Sequence, residues 1–243
     1  MRPERLIGEQ RILVVVPARG GSKGVARKNL REVGGVPLVA RVGHLVAELD
    51  FVDRAVVSTD DDEIAGVAER AGLAAPFRRP DSLSGDRIGD LEVLTHALEA
   101  MEQKDGVAYD VVVMLQPTSP LRRPEHVRAV VTKLLSGGFD AVWTVGPTDP
   151  KYHPRKQLAL DSDRLSFHHP SGAEVIARQQ LEPVYHRDGA AYAIDRECLL
   201  HQKSILGKNA SAVIVDEPML SIDTEQDFEA VEAVLRARGA ETA

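Results

Sequence analysis

The chain has 243 residues, 43% apolar and 4% aromatic, with 37 acidic against 30 basic side chains and a formal charge of −7. Net negative charge argues against a general nucleic-acid binder, whose affinity rests on phosphate attraction, and the scarcity of aromatics argues against a base-stacking platform. No apolar run reaches the ~18 residues of a membrane span, the opening MRPERLIGEQR lacks the apolar core of a signal peptide, and Cys198, the only cysteine, excludes an internal disulfide and a thiolate-rich metal site. These counts predict a soluble, cytoplasmic chain with no nucleic-acid or membrane partner, in which positive charge for any anion must be gathered locally.

In chain order, strand-like apolar runs alternate with helix-periodic segments. Residues 12–16 read as a β-branched strand ending at Pro17. Residues 36–49 read as a helix with Pro37 in its first turn, where a missing N–H costs nothing. A second strand covers 55–58, and 61–71 is a helix with carboxylates in its first turn and Gly72 at its end. Residues 90–101 form a helix, 111–115 a buried strand, 124–135 a helix closed by Gly137 and Gly138, and 141–145 a strand. Residues 147–187, rich in Pro, His, Arg and Gln, break this rhythm yet carry too many apolar and aromatic anchors for a linker, so they read as an inserted arm. Strands at 190–194 and 212–215 and an amphipathic helix at 225–237 complete the chain, with 1–9 and 239–243 frayed. Strands alternating with helices predict an α/β fold of three layers around a mostly parallel sheet, and strands apolar on both faces fit such a sheet. Residues 1–243 are expected to form a single domain, with 147–187 as its insertion.

The segment after the first strand carries the clearest chemical signal. Ligands of open α/β sheets sit at the carboxyl ends of the strands. Gly20, Gly21 and Gly24 allow the backbone to fold so that several N–H groups face one anion. Arg19, Lys23, Arg27 and Lys28 surround that loop with charge opposite to the global −7. The spacing satisfies neither G-x-x-x-x-G-K-[ST] nor G-x-G-x-x-G, so this is neither a P-loop nor a dinucleotide fingerprint. A basic surface turn is the bland alternative.

Val16-Pro-Ala-Arg-Gly-Gly-Ser-Lys-Gly-Val25 with Arg27-Lys-Asn29 resembles the signature of the acylneuraminate cytidylyltransferases, also called CMP-sialic acid synthetases. Five further blocks agree in order: Ser58-Thr-Asp60 with Glu63-Ile-Ala65; Phe77-Arg-Arg-Pro80 with Leu83 and Asp86; Leu115-Gln-Pro-Thr-Ser-Pro-Leu-Arg122; Arg178-Gln179 with Tyr185 and Gly189-Ala-Ala-Tyr192; and Ile222-Asp-Thr-Glu-Gln-Asp-Phe228. Together they cover about residues 11–235. The resemblance implies a Rossmann-like nucleotidyltransferase fold (GT-A-like) with an inserted dimerisation arm. It implies transfer of CMP from CTP to the anomeric hydroxyl of a nonulosonic acid, a nine-carbon α-keto acid sugar, with release of pyrophosphate.

Residue by residue, the resemblance assigns Lys28 and Arg19 to the reacting phosphate, and Ala18, Arg19, Gly20, Gly21, Ser22, Lys23, Asn29 and Arg79 to the nucleotide. It assigns Gln116 and Tyr192 to the acceptor, with Lys156 and Arg178 reaching a neighbouring subunit's acceptor site. Asp223 resembles a Mg²⁺ ligand, and the implied assembly is a homodimer with shared active sites, or a tetramer. Taken singly, Arg79 reads equally as a loop-stabilising surface arginine, Gln116 as a turn residue, Tyr192 as core, and Asp223 as a helix N-terminal carboxylate. The four histidines of the arm, His153, His168, His169 and His186, have no zinc spacing and suit an interface. Ser221 replaces the first acid of the family's Asp-x-Asp, Asp188 stands where Asn is common, Ala26 replaces a common Pro, and 203–209 lacks an aromatic pair. These departures leave the acceptor open among sialic, legionaminic, pseudaminic and deaminated nonulosonates. A Kdo-like acid or a phosphonate is the alternative acceptor, and an impaired nucleotide- or sugar-binding regulator the alternative class.

Overall fold

The computed structural model describes residues 7–241. Of the ends expected to fray, 1–6 and 242–243 lie outside the described residues, 7–9 form a 3₁₀ turn, and 239–241 extend the last helix.

Strand β1 (Ile12–Pro17) is the hub, with Ile12 to Val16 fully buried. Strands β2 (Glu32–Val33) and β3 (Val36–Pro37) then pair as a small antiparallel ladder before helix α1 (Leu38–Val46). Pro37 therefore caps α1 from outside instead of lying in its first turn. The reason is the Gly34-Gly35 turn, both glycines at positive φ (57° and 72°), the geometry a two-residue hairpin demands. Next come β4 (Arg54–Ser58), α2 (Asp62–Arg70), α3 (Asp90–Asp105), β5 (Val111–Met114) and α4 (Pro124–Gly137). Asp61 caps α2, accepting from the amides of Glu63 (2.9 Å) and Ile64 (3.0 Å). Strand β6 (Ala141–Pro147) leads into the arm, which holds the hairpin β7 (Leu158–Asp161) and β8 (Arg164–Phe167) among short 3₁₀ turns. The chain returns as β9 (Tyr185–Asp195), longer than the expected 190–194 because its exposed first residues pair with β6. Helix α5 (Arg196–Leu200), β10 (Ala210–Ile214) and α6 (Glu225–Glu241) follow.

The six-stranded sheet has the order β10-β6-β9-β5-β1-β4, and β9 runs antiparallel to both its neighbours while the other pairs are parallel. Because side chains alternate across a strand, Ile12, Val14 and Val16 enter a core with α1, α2 and α4, and Leu13 and Val15 enter a second core with α3 and α5. This is the expected three-layer, mostly parallel α/β sandwich. A third, smaller cluster joins Val25, Leu121, Ile222, Phe228 and Val231. It fastens three loop segments, carrying Val25, Leu121 and Ile222, to α6. Ile222 is fully buried there, worth ~1.5–3 kcal/mol for such a side chain. Among the described residues, no helix is long and apolar enough to cross a membrane.

Candidate active site

Strands β1, β4 and β5 end side by side, with Pro17 in register with Ser58 and Val15 with Met114. The loops leaving them enclose a cleft of about 480 Å³. One wall is the 18–31 loop, represented by Arg19, Ser22, Lys23, Gly24, Lys28 and Asn29. The facing wall comes from 79–93, the floor from Gln116, Pro117 and Thr118, and Asp223 stands at the edge. The carboxyl-end placement expected from sequence is what the topology delivers.

The loop is held by contacts that local sequence does not show. Gly24 lies so close to the Asp223 carbonyl that a Cβ there would stand 2.4 Å from its oxygen, so only glycine fits. The Asn29 amide donates to the Arg19 carbonyl at 2.9 Å from a buried position. Each of the loop's four expected cations has an acidic partner. Arg19 pairs with Asp86 at 2.7 Å, Lys23 with the same carboxylate, and Arg27 with Glu63. Lys28 Nζ donates to Asp223 Oδ1 and to the Ile222 carbonyl, each at 2.9 Å. Both loop cations donate to Asp86, which keeps its carboxyl below the usual range. The basic island expected from sequence is therefore neutralised in this state. Three of its amides are already committed: Ala18 N–H donates to Ser58 O (2.9 Å), Gly20 N–H to Asp60 (2.8 Å) and Ser22 N–H to Gly20 O (3.1 Å). Ala18, Gly20 and Gly21 are not on the cleft surface.

Arg79 is buried rather than a surface arginine. Its Nε donates to Ser58 Oγ at 3.0 Å and its Nη2 to the Ser58 carbonyl. Burial lowers its pKa to about 10, which leaves it charged at neutral pH. Gln116 is half-buried and lines the cleft. Its backbone is set by Arg122, a buried guanidinium that donates to the Gln116 carbonyl and also to the carbonyls of Ala190 and Gly189. Gly189 is at φ +74°, and a Cβ there would stand 2.4 Å from Ser119 Oγ, so the Asp188-Gly189 turn fits tightly behind the floor. Asp188 is buried and accepts from Thr144 Oγ1 (2.5 Å) and from the Ala190 amide (2.9 Å).

Tyr192 is not brought to the cleft. It is 2% exposed, packed edge-to-face on Trp143 at 5.0 Å within the second core. As the middle of β9 between β5 and β6, it supports the floor from inside the sheet. Lys156 and Arg178 are exposed on the arm and do not line this chain's cleft. Sequence reasoning missed Asp86 and Asp90 as cleft residues. Asp86 sat in a matched block but had no assigned task, and Asp90 read only as a helix start.

For a metal, no group of three or more His, Cys, Asp or Glu side chains converges among the described residues, and Asp216 does not reach the cleft. The Asp223 carboxylate is 73% exposed beside Lys28. A single accessible carboxylate fits Mg²⁺, which takes one or two carboxylates, phosphate oxygens and water. Asp227 is structural: it accepts from the amides of Asp223 (2.9 Å) and Thr224 (2.7 Å), which holds its pKa low.

A sequence profile of the cytidylyltransferase family matches residues 13–238. The chain is 30% identical over 216 residues to the CMP-N,N'-diacetyllegionaminic acid synthase of Legionella pneumophila, covering 88% of this chain and 91% of that protein. It is 29% identical over 221 residues to the N-acylneuraminate cytidylyltransferase of Escherichia coli, covering 90% of this chain but 51% of that longer protein. In fold it is similar to the solved structure of CMP:2-keto-3-deoxy-manno-octonic acid synthetase complexed with CTP, with a TM-score of 0.68 at 17% identity, covering 94% of this chain and 99% of the other.

Proposed function

The chain belongs to the cytidylyltransferase family, and from that premise we propose that it moves CMP from CTP to the anomeric hydroxyl of a nonulosonic acid, releasing pyrophosphate. The observation that carries this reading is the cleft at the ends of β1, β4 and β5, which gathers Arg19, Ser22, Lys23, Lys28, Asn29, Arg79, Gln116 and Asp223 in one place. The relatives named above, which act on legionaminic and acylneuraminic acids by their names, support an acceptor of that class.

In-line attack on an α-phosphate requires positioning and neutralisation of charge more than covalent help. Lys28 is the group placed for this. It is anchored at the rim by the Ile222 carbonyl, and its ammonium can move from Asp223 to a phosphate oxygen without leaving the wall. Arg19 and Lys23 face each other's shared partner, Asp86, and exchange it for the outer phosphates. Arg79 serves the nucleoside and Gln116 the acceptor, whose hydroxyls or carboxylate an amide can both donate to and accept from. Asp223 would hold Mg²⁺, which draws charge away from the phosphates when bound.

The arm supports a homodimer. Of nine large apolar side chains exposed among the described residues, seven belong to it: Tyr152, Leu158, Leu160, Leu165, Phe167, Ile176 and Tyr185. A second copy covering that surface would bring Lys156 and Arg178 to its partner's acceptor side. The test of the activity is pyrophosphate release from CTP and Mg²⁺ with a panel of sialic, legionaminic, pseudaminic and Kdo-type acids. Turnover with nonulosonates is expected; turnover restricted to Kdo, or absent with every acid, would reject the assignment.

A further inference from the structure

We propose that Asp90 selects the nucleobase, its carboxylate accepting a hydrogen bond from the exocyclic amine of cytosine and repelling uracil. This rests on the CTP reading above. Asp90 lies in the first turn of α3 and lines the same cleft as Lys28. Leu83, Ile88 and Val93 share that wall, offering apolar surface to the faces of a pyrimidine ring. Asp90 is half-buried, yet its side chain accepts no hydrogen bond among the described residues. A carboxylate taken partly out of water without a donor is costly unless a ligand supplies one. Burial pushes its pKa up, and the charges of Arg187 and Arg79 oppose that rise.

Arg79 supplies the other half of the recognition. Its Nε and one terminal nitrogen are committed to Ser58, while a guanidinium carries five N–H groups in all. Donors therefore remain on a side chain that lines the same cleft, within electrostatic reach of Asp90. Cytosine presents an amine donor next to the acceptors N3 and O2. Uracil presents O4 in the amine's place, and a carboxylate facing O4 sets one acceptor against another. An acceptor from Asp90 beside a donor from Arg79 matches the first pattern and opposes the second.

Calorimetric titration with CTP, UTP, dCTP and the triphosphate of pyrimidin-2-one riboside, which lacks only the amine, tests this without an acceptor sugar. The wild-type chain is expected to bind CTP at least ~10-fold more tightly than UTP or the pyrimidinone nucleotide, the scale of one charge-assisted hydrogen bond. Asp90→Ala should bind CTP and the pyrimidinone nucleotide alike. Asp90→Asn, whose amide can turn its N–H₂ toward O4, should narrow the CTP to UTP ratio to within about threefold. Equal wild-type affinity for CTP and the pyrimidinone nucleotide overturns the proposal whether or not any variant folds. So does an Asp90→Ala variant that keeps the preference, or one that loses only its discrimination between CTP and dCTP. If the wild-type chain binds no CTP, the cytidylyltransferase reading falls with it; if CTP binds and only the preference is misassigned, that reading stands.

Discussion

Lys28 is the least exposed of the loop's paired cations, at 15% against 31% for Arg19 and 79% for Lys23. A shielded ammonium interacts more strongly with a phosphate than a solvated one does. Replacement of Lys28 by alanine is therefore expected to lower kcat by roughly 100-fold or more, the scale of losing one preorganised charge. The far-ultraviolet circular dichroism should be unchanged, and near-wild-type turnover would remove Lys28 from the reaction. Asp86 predicts the opposite sign. It would compete with phosphates for Arg19 and Lys23 under the proposed function, so Asp86→Asn should tighten CTP binding in the absence of metal by about twofold to fivefold, the range of an exposed ion pair. Weaker metal-free binding in that variant would show that Asp86 supports the nucleotide instead of competing with it.

Helix α3 carries Asp90 at one end and an ionic anchor near the other. Arg196 grips Glu102 with two bonds, Nε to Oε1 at 2.7 Å and Nη2 to Oε2 at 2.9 Å, and the Tyr109 amide donates to the same carboxylate at 3.0 Å. These donors, Arg196 first, hold the Glu102 pKa below its ordinary value. A carboxyl whose pKa is depressed on folding stabilises the protein fully above its unfolded pKa of ~4.3 and loses that contribution as pH falls through the folded value. Glu102→Gln should therefore lower stability by ~1–2 kcal/mol near neutral pH. The difference from wild type should shrink below about pH 4, as read by denaturant unfolding at a series of pH values. A gap that persists at low pH would contradict this origin. At this scale much was legible in the sequence. Every strand apolar on both faces was found, because strands of a sheet covered by helices on both sides read as unbroken apolar runs. The ladder of β2 and β3 was hidden by a proline that also suits a helix start, and the outer half of β9 by its polar, exposed residues. The site was legible as loops and motifs, but not as a circuit. Lys28 and Asp223 are 195 positions apart, and no local pattern announces a pairing that only the third core brings about. Tyr192 matched by resemblance yet lies inside the sheet, since its register between Met114 and Trp143 directs it to the core.

At the scale of the molecule, apolar exposure among the described residues is concentrated on the arm, with Ile176 91% and Leu160 70% exposed. Apolar side chains concentrated in this way mark interaction surfaces. The double substitution Leu160→Glu with Ile176→Glu is expected to give a folded monomer in sedimentation velocity, where the wild-type chain is expected to sediment as a dimer. If the variant remains dimeric, the interface lies elsewhere. A loss of turnover that accompanies dissociation would support lending of Lys156 and Arg178 between subunits.

The arm begins and ends on paired neighbours: Val145, Gly146 and Pro147 of β6 stand opposite Arg187, His186 and Tyr185 of β9. The excursion between them is thus closed at its base by a backbone ladder that belongs to the main sheet. Loop-closure entropy rises only logarithmically with length, so insertions and deletions beyond that base cost little. The consequence is modularity in evolution. The appendage can be lengthened, shortened or rewritten while the six-stranded sheet and the cleft at its carboxyl edge keep their register.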